Sequence, residues 1–216
     1  MTEQGMKRRR FFKIAGGAAL GGLVACGGIG VVASRKPEIE MPTASHPGAG
    51  KRILVAYASA TGSTAESAAA MGEVLAKMGY AVDVRSAGEV QGVGEYDGVI
   101  LGSAIRVGKP LAAAGKLVES HGKRLRERPT ACFVLCMTAA EETPEARSEA
   151  DLYPTPLAEA MGARHVGVFP GAILPERLSA IERTITKMVG SKVGDHRDWE
   201  AMRAWAREYG EIVHES

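Results

Sequence analysis

The stretch "RILVAYASATGST", Arg52 to Thr64, decides the fold that this chain is predicted to adopt. Its first half, 52–58, is an apolar run without a helical period, which is typical of a buried strand. Small and hydroxyl-bearing residues fill 59–64, and an amphipathic helix begins there and ends at Gly79. A buried strand that leads through a short loop into a helix is the opening unit of an alternating α/β chain.

The same alternation of strands and helices continues to the end of the sequence. Further strands are predicted at 81–87, 98–104, 131–137 and 164–173. Helices are predicted at 112–125, at 145–163 with an interruption near Pro154 and Pro156, at 177–190, and at 198–213 with Asp198 as N-cap. We therefore expect a five-stranded parallel sheet with helices on both faces. Ligands bind beyond the carboxyl ends of such strands, which points to the loops 59–64, 103–109 and 137–144.

The first of these loops has the chemistry of an anion site. A helix leaves its first backbone N–H groups unpaired and presents partial positive charge at that end. Hydroxyl donors and one glycine, which lets the backbone approach a ligand, are supplied by Ser59, Thr61, Gly62, Ser63 and Thr64. No Lys or Arg occurs between Arg52 and Lys77, so the loop suits a phosphate held by neutral donors. Nucleoside-triphosphate and dinucleotide loops need a lysine or further glycines, and an ordinary capped turn remains as the alternative.

Three segments resemble a known family. Residues 59–64, Ser59-Ala60-Thr61-Gly62-Ser63-Thr64, resemble the [ST]-x-T-G-x-T phosphate loop of flavodoxins, which bind flavin mononucleotide (FMN). The segments "ILGSAIRVGK" (100–109) and "GDHRDWEAMRAWA" (194–206) are similar to parts of the short flavodoxin-domain proteins that include menaquinone-dependent protoporphyrinogen dehydrogenase. The resemblance covers about residues 51–213, and it implies a flavodoxin-like three-layer fold.

The resemblance also implies where FMN is held. Residues 59–64 would hold its phosphate, and the ring would be flanked by Ser103, Ala104, Ile105, Arg106, Val107 and Gly108. The loop that begins Met137, Thr138 and Ala139 would close the other side. Arg106 would place positive charge near the ring, or would instead be a solvated side chain paired with Glu141 or Glu142. The stretch 88–95 has no aromatic residue and Val107 stands where a tyrosine is expected, so we expect aliphatic walls around the ring.

Two functions from different classes fit the interpretation of the chain as an FMN-binding domain. The first is an oxidoreductase in which the flavin takes electrons from a reduced substrate and passes them to a quinone. The second is an electron carrier that docks on a redox partner protein and has no substrate of its own. A degenerate domain without flavin is a third alternative. No residue stands out as a catalytic acid or base, and no metal is expected.

Composition and spacing exclude several other classes. Residues 1–36 carry a net charge of +6 and the remainder −4, so nothing suggests nucleic-acid binding. Cys132 and Cys136 would lie about 13 Å apart on one strand, too far for a disulfide. We expect both to be buried thiols and His165 to be structural, with Trp199 and Trp205 packed against the sheet.

The pattern of the N-terminal residues predicts a targeting signal rather than part of the fold. Residues 1–34 have a basic start and a Gly/Ala-rich apolar run, the architecture of a signal peptide, and Arg8-Arg9 resembles the twin-arginine motif. "LVAC", ending at Cys26, resembles a lipobox; cleavage before Ser34 or an uncleaved anchor are the alternatives. Residues 35–50 are predicted to be a flexible linker to a domain at 51–216. We expect export by the twin-arginine machinery to the periplasm or the outer face of the cell membrane, with contact to the membrane surface through a lipid or the uncleaved signal.

Overall fold

The computed structural model describes residues 37, 39, 41–188 and 190–216. They fall into two compact units. The larger comprises the described residues of 39–173 and 192–216, and the smaller comprises residues 37, 174–188 and 190–191 as far as it is described. Within these ranges no helix has both the length and the apolar character needed to cross a membrane. The predictions that concern Arg8, Arg9 and Cys26 lie outside the described residues.

The larger unit contains the sheet and the helices that cover it. The strands are β1 (Ala44–His46), β2 (Arg52–Ala58), β3 (Ala81–Ser86), β4 (Gly98–Arg106), β5 (Lys109–Pro110), β6 (Thr130–Cys136), β7 (His165–Pro170), β8 (Ala172–Ile173) and β9 (Gly194–Asp195). The helices are α1 (Ser63–Lys77), α2 (Ala112–Leu125), α3 (Pro144–Ala150), α4 (Thr155–Met161) and α6 (Trp199–Glu215). The smaller unit contributes α5 (Ala180–Met188), which Ser179 and Glu182 begin with a reciprocal capping box.

Five parallel strands form the centre of the sheet in the order β3-β2-β4-β6-β7. The order of β2 and β3 in the sheet is the reverse of their order in the chain, as in the flavodoxin-like doubly wound arrangement. The predicted α/β fold is therefore confirmed. The strand count differs, because β1 on one edge and the short β5 beside β4 both pair antiparallel and extend the sheet to seven strands. The predicted strand 164–173 is also divided, since β8 leaves the sheet and pairs with β9.

Alternate residues of each central strand feed two separate cores. Ile53, Val55 and Tyr57 of β2 face the layer that contains α1 and α6. Leu54, Ala56 and Ala58 face the opposite layer, which contains α2 and α4. Burial of both faces explains why 52–58 is a continuous apolar run rather than an alternating one.

Part of the predicted linker belongs to the sheet. The structure corrects the flexible assignment over Ala44–His46, because these residues form β1 and pair with β3. The hydroxyl of Ser45 donates to Asp83 at 2.6 Å, and the Tyr57 hydroxyl donates to the Pro42 carbonyl at 2.9 Å. Asp83 is 4% exposed and also accepts from Tyr96 and Arg52. A three-residue strand with one apolar residue has no readable pattern, and its partners are polar groups far along the chain.

Helix ends follow the sequence signals. Gly79, just beyond α1, has a φ of +97°, the left-handed conformation that ends helices and favours glycine. Asp198 caps α6 by accepting a hydrogen bond from the Ala201 amide at 2.9 Å. The predicted interruption at the prolines separates α3 from α4.

Candidate functional site

The three predicted loops lie side by side at the carboxyl edge of the sheet. They lie at the carboxyl ends of β2, β4 and β6, which are consecutive neighbours, and the second loop includes the last residues of β4. The strand register sets Ala58 beside Ser103, and Ala104 beside Leu135. The order of the strands reverses between β2 and β4, and the carboxyl ends of the strands at such a point are the usual position of a ligand in an open parallel sheet.

The first loop forms a compact turn that opens α1, and we call residues 59–64 the phosphate cradle. Gly62 is the N-cap of α1 with a φ of +88°, a conformation that a side chain would strain. Its amide donates to Ser59 Oγ at 3.0 Å, which closes the turn. As a glycine, Gly62 has no side chain that could cap the helix by a hydrogen bond. The N-cap residue therefore does not compete with a ligand for the first-turn amides of α1.

Thr64 supplies the sharpest sign that the cradle takes a ligand. Its side chain is fully buried, yet Oγ1 has no hydrogen-bond partner among the residues that the structure describes. A buried hydroxyl without a partner costs about 1–3 kcal/mol, so native proteins rarely keep one without a reason. An anionic oxygen would accept from this hydroxyl and from the adjacent amides together. The residues present fit a phosphate group.

A buried cation also reaches the cradle, and sequence spacing did not reveal it. The guanidinium of Arg197 donates to the Ser63 carbonyl at 3.0 Å and to Glu66 at 2.7 Å, and its side chain is 4% exposed. Asp195 binds the other edge of the same group at 2.6 and 2.8 Å. This pairing holds the pKa of the Asp195 carboxyl below its usual value. The available signal was the segment 194–206, which the family resemblance singled out without giving Arg197 a role.

The second loop is a hairpin that connects β4 to β5. The backbone of Arg106 in β4 pairs with that of Lys109 in β5. In the turn between them, Val107 and Gly108 have φ values of +53° and +72°. Two consecutive positive φ values match a type I′ turn, which prefers Asn-Gly. Val107 is a β-branched residue in this conformation and is 66% exposed, so the tip stores backbone strain.

The predicted ring-flanking residues divide into buried and accessible members. Ser103 is fully buried, and its hydroxyl accepts from the Leu111 amide and donates to the Ala104 carbonyl, both at 2.9 Å. Its side chain therefore holds the start of α2, and only its backbone is left for a ligand. Ala104 and Ile105 are half-buried, and Arg106 is exposed.

The third loop is a short 3-10 turn, Thr138–Ala140, whose residues are half-buried together with Met137. The Tyr153 hydroxyl donates to Glu149 at 2.8 Å and lies 3.2 Å from Thr138 Oγ1. Because Tyr153 has one proton and gives it to the carboxylate, Thr138 is the donor of the second bond. A Cβ placed on Gly108 would lie 3.8 Å from the Tyr153 ring, so this ring borders both loops. The site therefore gains an aromatic neighbour that the expectation of aliphatic walls did not include.

The two thiols of the sheet, His165 and the two tryptophans pack against neighbouring residues, as expected. Cys132 and Cys136 are buried free thiols, and burial raises the pKa of Cys132 to about 12 and that of Cys136 to about 11. His165 stacks on Trp205 at 4.5 Å between ring centroids, and Trp205 packs on the aromatic rings of the sheet. Trp199 is partly buried against the same core and lies 4.3 Å beneath the Arg197 guanidinium.

Comparisons with known proteins agree with this geometry. The chain is 23% identical over 176 residues to the protoporphyrinogen IX dehydrogenase [quinone] of Escherichia coli K12, covering 75% of this chain and 96% of the relative. Among solved structures, a flavodoxin from the domain Archaea superposes with a TM-score of 0.50 at 16% identity, over 76% of this chain and 99% of that one. A short-chain flavodoxin associated with a non-canonical PDU bacterial microcompartment gives a TM-score of 0.52 at 10% identity, over 77% and 98%. The family model of the flavodoxin domain matches residues 54–199. The chain belongs to the flavodoxin domain family.

Proposed function

We propose that this chain binds FMN and acts as an oxidoreductase that passes electrons from a reduced substrate to a quinone. The observation that carries the proposal is the buried, unpartnered hydroxyl of Thr64 inside a cradle of backbone amides. Family membership supports a flavin as the ligand, and the likeness to a quinone-dependent dehydrogenase over nearly its whole length supports the class of reaction.

The cradle would hold the phosphate through neutral donors. Gly62, Ser63 and Thr64 are buried, so water competes little with the ligand for their N–H and O–H groups. Ser59, Ala60 and Thr61 are half-buried and would form the outer wall of the cradle. The N-terminal end of α1 adds its partial positive charge.

The hairpin and the third loop would orient the ring between them. FMN supplies the electron-transfer chemistry when bound, and the protein contributes orientation and charge. Ala104, Ile105 and the turn at Val107-Gly108 would approach from one side, and Met137–Ala139 from the other. The exposed guanidinium of Arg106 would favour negative charge on a reduced flavin.

The second candidate is an electron carrier, and an acidic surface beside the third loop favours it. Glu142, Glu145, Glu149 and Asp151 are all exposed on or next to α3. Such a surface could guide a basic redox partner protein to the same edge of the sheet. Arg147 interrupts this surface, which weakens the charge pattern.

Location forms a separate proposal. We propose that the twin-arginine machinery exports the folded chain, on the strength of Arg8 and Arg9, and that Cys26 carries a lipid. A lipid at that position would hold the domain at the outer face of the membrane, near quinones. The mass of the N-terminal peptide from envelope material distinguishes lipidation from cleavage before Ser34 and from a retained signal.

Titration of the apoprotein with FMN tests the cofactor assignment. The expected result is binding with one-to-one stoichiometry, which is detected as quenching of the flavin fluorescence. Folded protein that takes up no FMN would overturn the proposal.

Anaerobic reductive titration then separates the two functions. Reduction in one two-electron step, followed by rapid reoxidation by menadione, supports the oxidoreductase, whereas two resolved one-electron steps and no reaction with quinone support the carrier.

A further inference from the structure

The Arg197 contacts join the C-terminal part of the chain to the cradle across a sequence separation of 131 residues. The pairing of β8 with β9 and the hydrogen bond from the His196 amide to the Gly171 carbonyl at 3.1 Å bring this segment to the carboxyl edge of the sheet. Asp198 then caps α6 directly after it. The backbone therefore fixes Arg197 from both sides.

The guanidinium uses this position to hold the first turn of α1. One nitrogen binds both the Ser63 carbonyl and the Glu66 carboxylate, while the opposite edge forms a two-point contact with Asp195. The Trp199 ring lies beneath the group at 4.3 Å. A side chain that is 4% exposed and makes this many directed contacts is an anchored charge rather than a solvated one.

Glu66 gives the contact its electrostatic meaning. It lies in the first turn of α1, the turn whose amides face the cradle. A carboxylate there competes with an anionic ligand for the positive end of the helix and repels it. Pairing with Arg197 reduces that repulsion, because the two opposite charges are in direct contact. Asp195 binds the same guanidinium, so the three groups together carry a charge of −1 instead of the −2 of the two carboxylates alone.

We propose that Arg197 is a positioning residue of the phosphate cradle: it holds the first turn of α1 and offsets the negative charge of Glu66, so that an anionic ligand can bind. This inference rests on the proposed function, since the anion is the FMN phosphate. It gives the segment 194–198 a role in ligand affinity and makes the cradle dependent on a cation from outside its own loop.

The test is a double-mutant cycle on FMN and riboflavin affinity in the apoprotein. Riboflavin has the same ring without the phosphate, so it reports on everything except the cradle. Arg197→Gln should weaken FMN binding by about tenfold or more, because the cation that Glu66 and Asp195 share is lost beside the cradle, and should change riboflavin binding by less than about twofold. Glu66→Gln alone should leave FMN binding unchanged or tighter. The double variant should recover most of the lost FMN affinity.

Arg203→Gln is the matched control. It removes the same charge from an exposed arginine whose guanidinium also lies over Trp199, at 5.8 Å, away from the cradle. Its FMN affinity should equal that of the unaltered protein. If Arg197→Gln does not fold, Arg197→Lys takes its place in the cycle, with a smaller loss and the same recovery by Glu66→Gln.

Each other result overturns the inference. Equal losses for FMN and riboflavin, or no recovery by Glu66→Gln, would show that Arg197 only supports the fold. Unchanged FMN affinity in Arg197→Gln would reject the inference and leave the proposed function standing. If the unaltered protein binds neither compound, the proposed function and the inference fail together.

Discussion

Thr64 allows a prediction in which ligand affinity and fold stability change in opposite directions. Thr64→Val keeps the shape of the side chain and removes only the hydroxyl. In the apoprotein that hydroxyl is fully buried without a described partner, so its removal should stabilise the fold by about 1–2 kcal/mol. In the complex it would donate to a charged phosphate oxygen, a bond worth about 1.5–3 kcal/mol, so FMN binding should weaken by about 10- to 100-fold.

Two measurements check the Thr64 prediction. Urea unfolding of the apoprotein gives the change in stability, and fluorescence titration gives the Kd for FMN and for riboflavin. Riboflavin affinity should stay within about twofold, because the compound lacks the phosphate. Thr130→Val is the matched control: its buried hydroxyl donates to the Met161 carbonyl at 3.3 Å, so the change should destabilise by about 1 kcal/mol and leave FMN binding intact.

Two results would refute the reasoning about Thr64. An FMN affinity within twofold of the unaltered protein would mean that the hydroxyl does not meet the phosphate. A less stable Thr64→Val apoprotein would mean that the hydroxyl already has a partner in the fold. The first result would remove the support that the Thr64 hydroxyl gives to the proposed function.

Further predictions concern the hairpin, the thiols and the buried carboxylate. Val107→Asn should raise stability by about 1 kcal/mol, seen as a Tm about 2–4 °C higher, because asparagine tolerates a φ of +53°; the same exchange at Val166, exposed on the regular strand β7, should lower the Tm. Cys132, with a pKa raised to about 12 by burial, should resist thiol labelling at pH 8 in the native protein and react after unfolding in urea, and fast native labelling would contradict its burial. Burial alone would raise the pKa of Asp83, but hydrogen bonds from Ser45, Tyr96 and Arg52 outweigh it and lower the net value. The stabilising contribution of the ionised Asp83 is therefore present above about pH 4 and is lost as the pH falls through the lowered folded-state pKa. The difference in unfolding free energy between the unaltered protein and Asp83→Asn should shrink on acidification below about pH 4. A difference that does not depend on pH would contradict this assignment.

Local patterns predicted the central fold because its elements depend on local signals. The run 52–58 is apolar on both faces, Gly79 has the conformation that ends a helix, and Asp198 caps α6 through its own neighbours. The turn at 59–64 was predictable for the same reason, since its residues are consecutive in the chain; that it holds a phosphate stays a prediction. Each of these signals is read within one or two helical turns.

The parts that the sequence did not reveal depend on pairs of residues far apart in the chain. Arg197 meets Glu66, and β1 pairs with β3, through contacts that no spacing rule encodes. Tyr153 reaches Thr138 only because α3 and the following turn fold back over the third loop. An unpartnered buried hydroxyl is likewise a property of packing, so Thr64 stood out in the sequence only as one of several small polar residues.

The pairing of β1 with β3 also decides where the folded domain begins. A chain cut at Lys51, the boundary that the sequence indicates, would lose β1 and leave the backbone N–H and C=O groups of β3 open along a sheet edge. Open edges of this kind recruit strands from other molecules and lead to aggregation. Met41 packs against the core, so expression of the isolated domain should start before this residue. Residues 41–50 include β1, which covers the edge of β3, and they also connect the domain to the N-terminal segment.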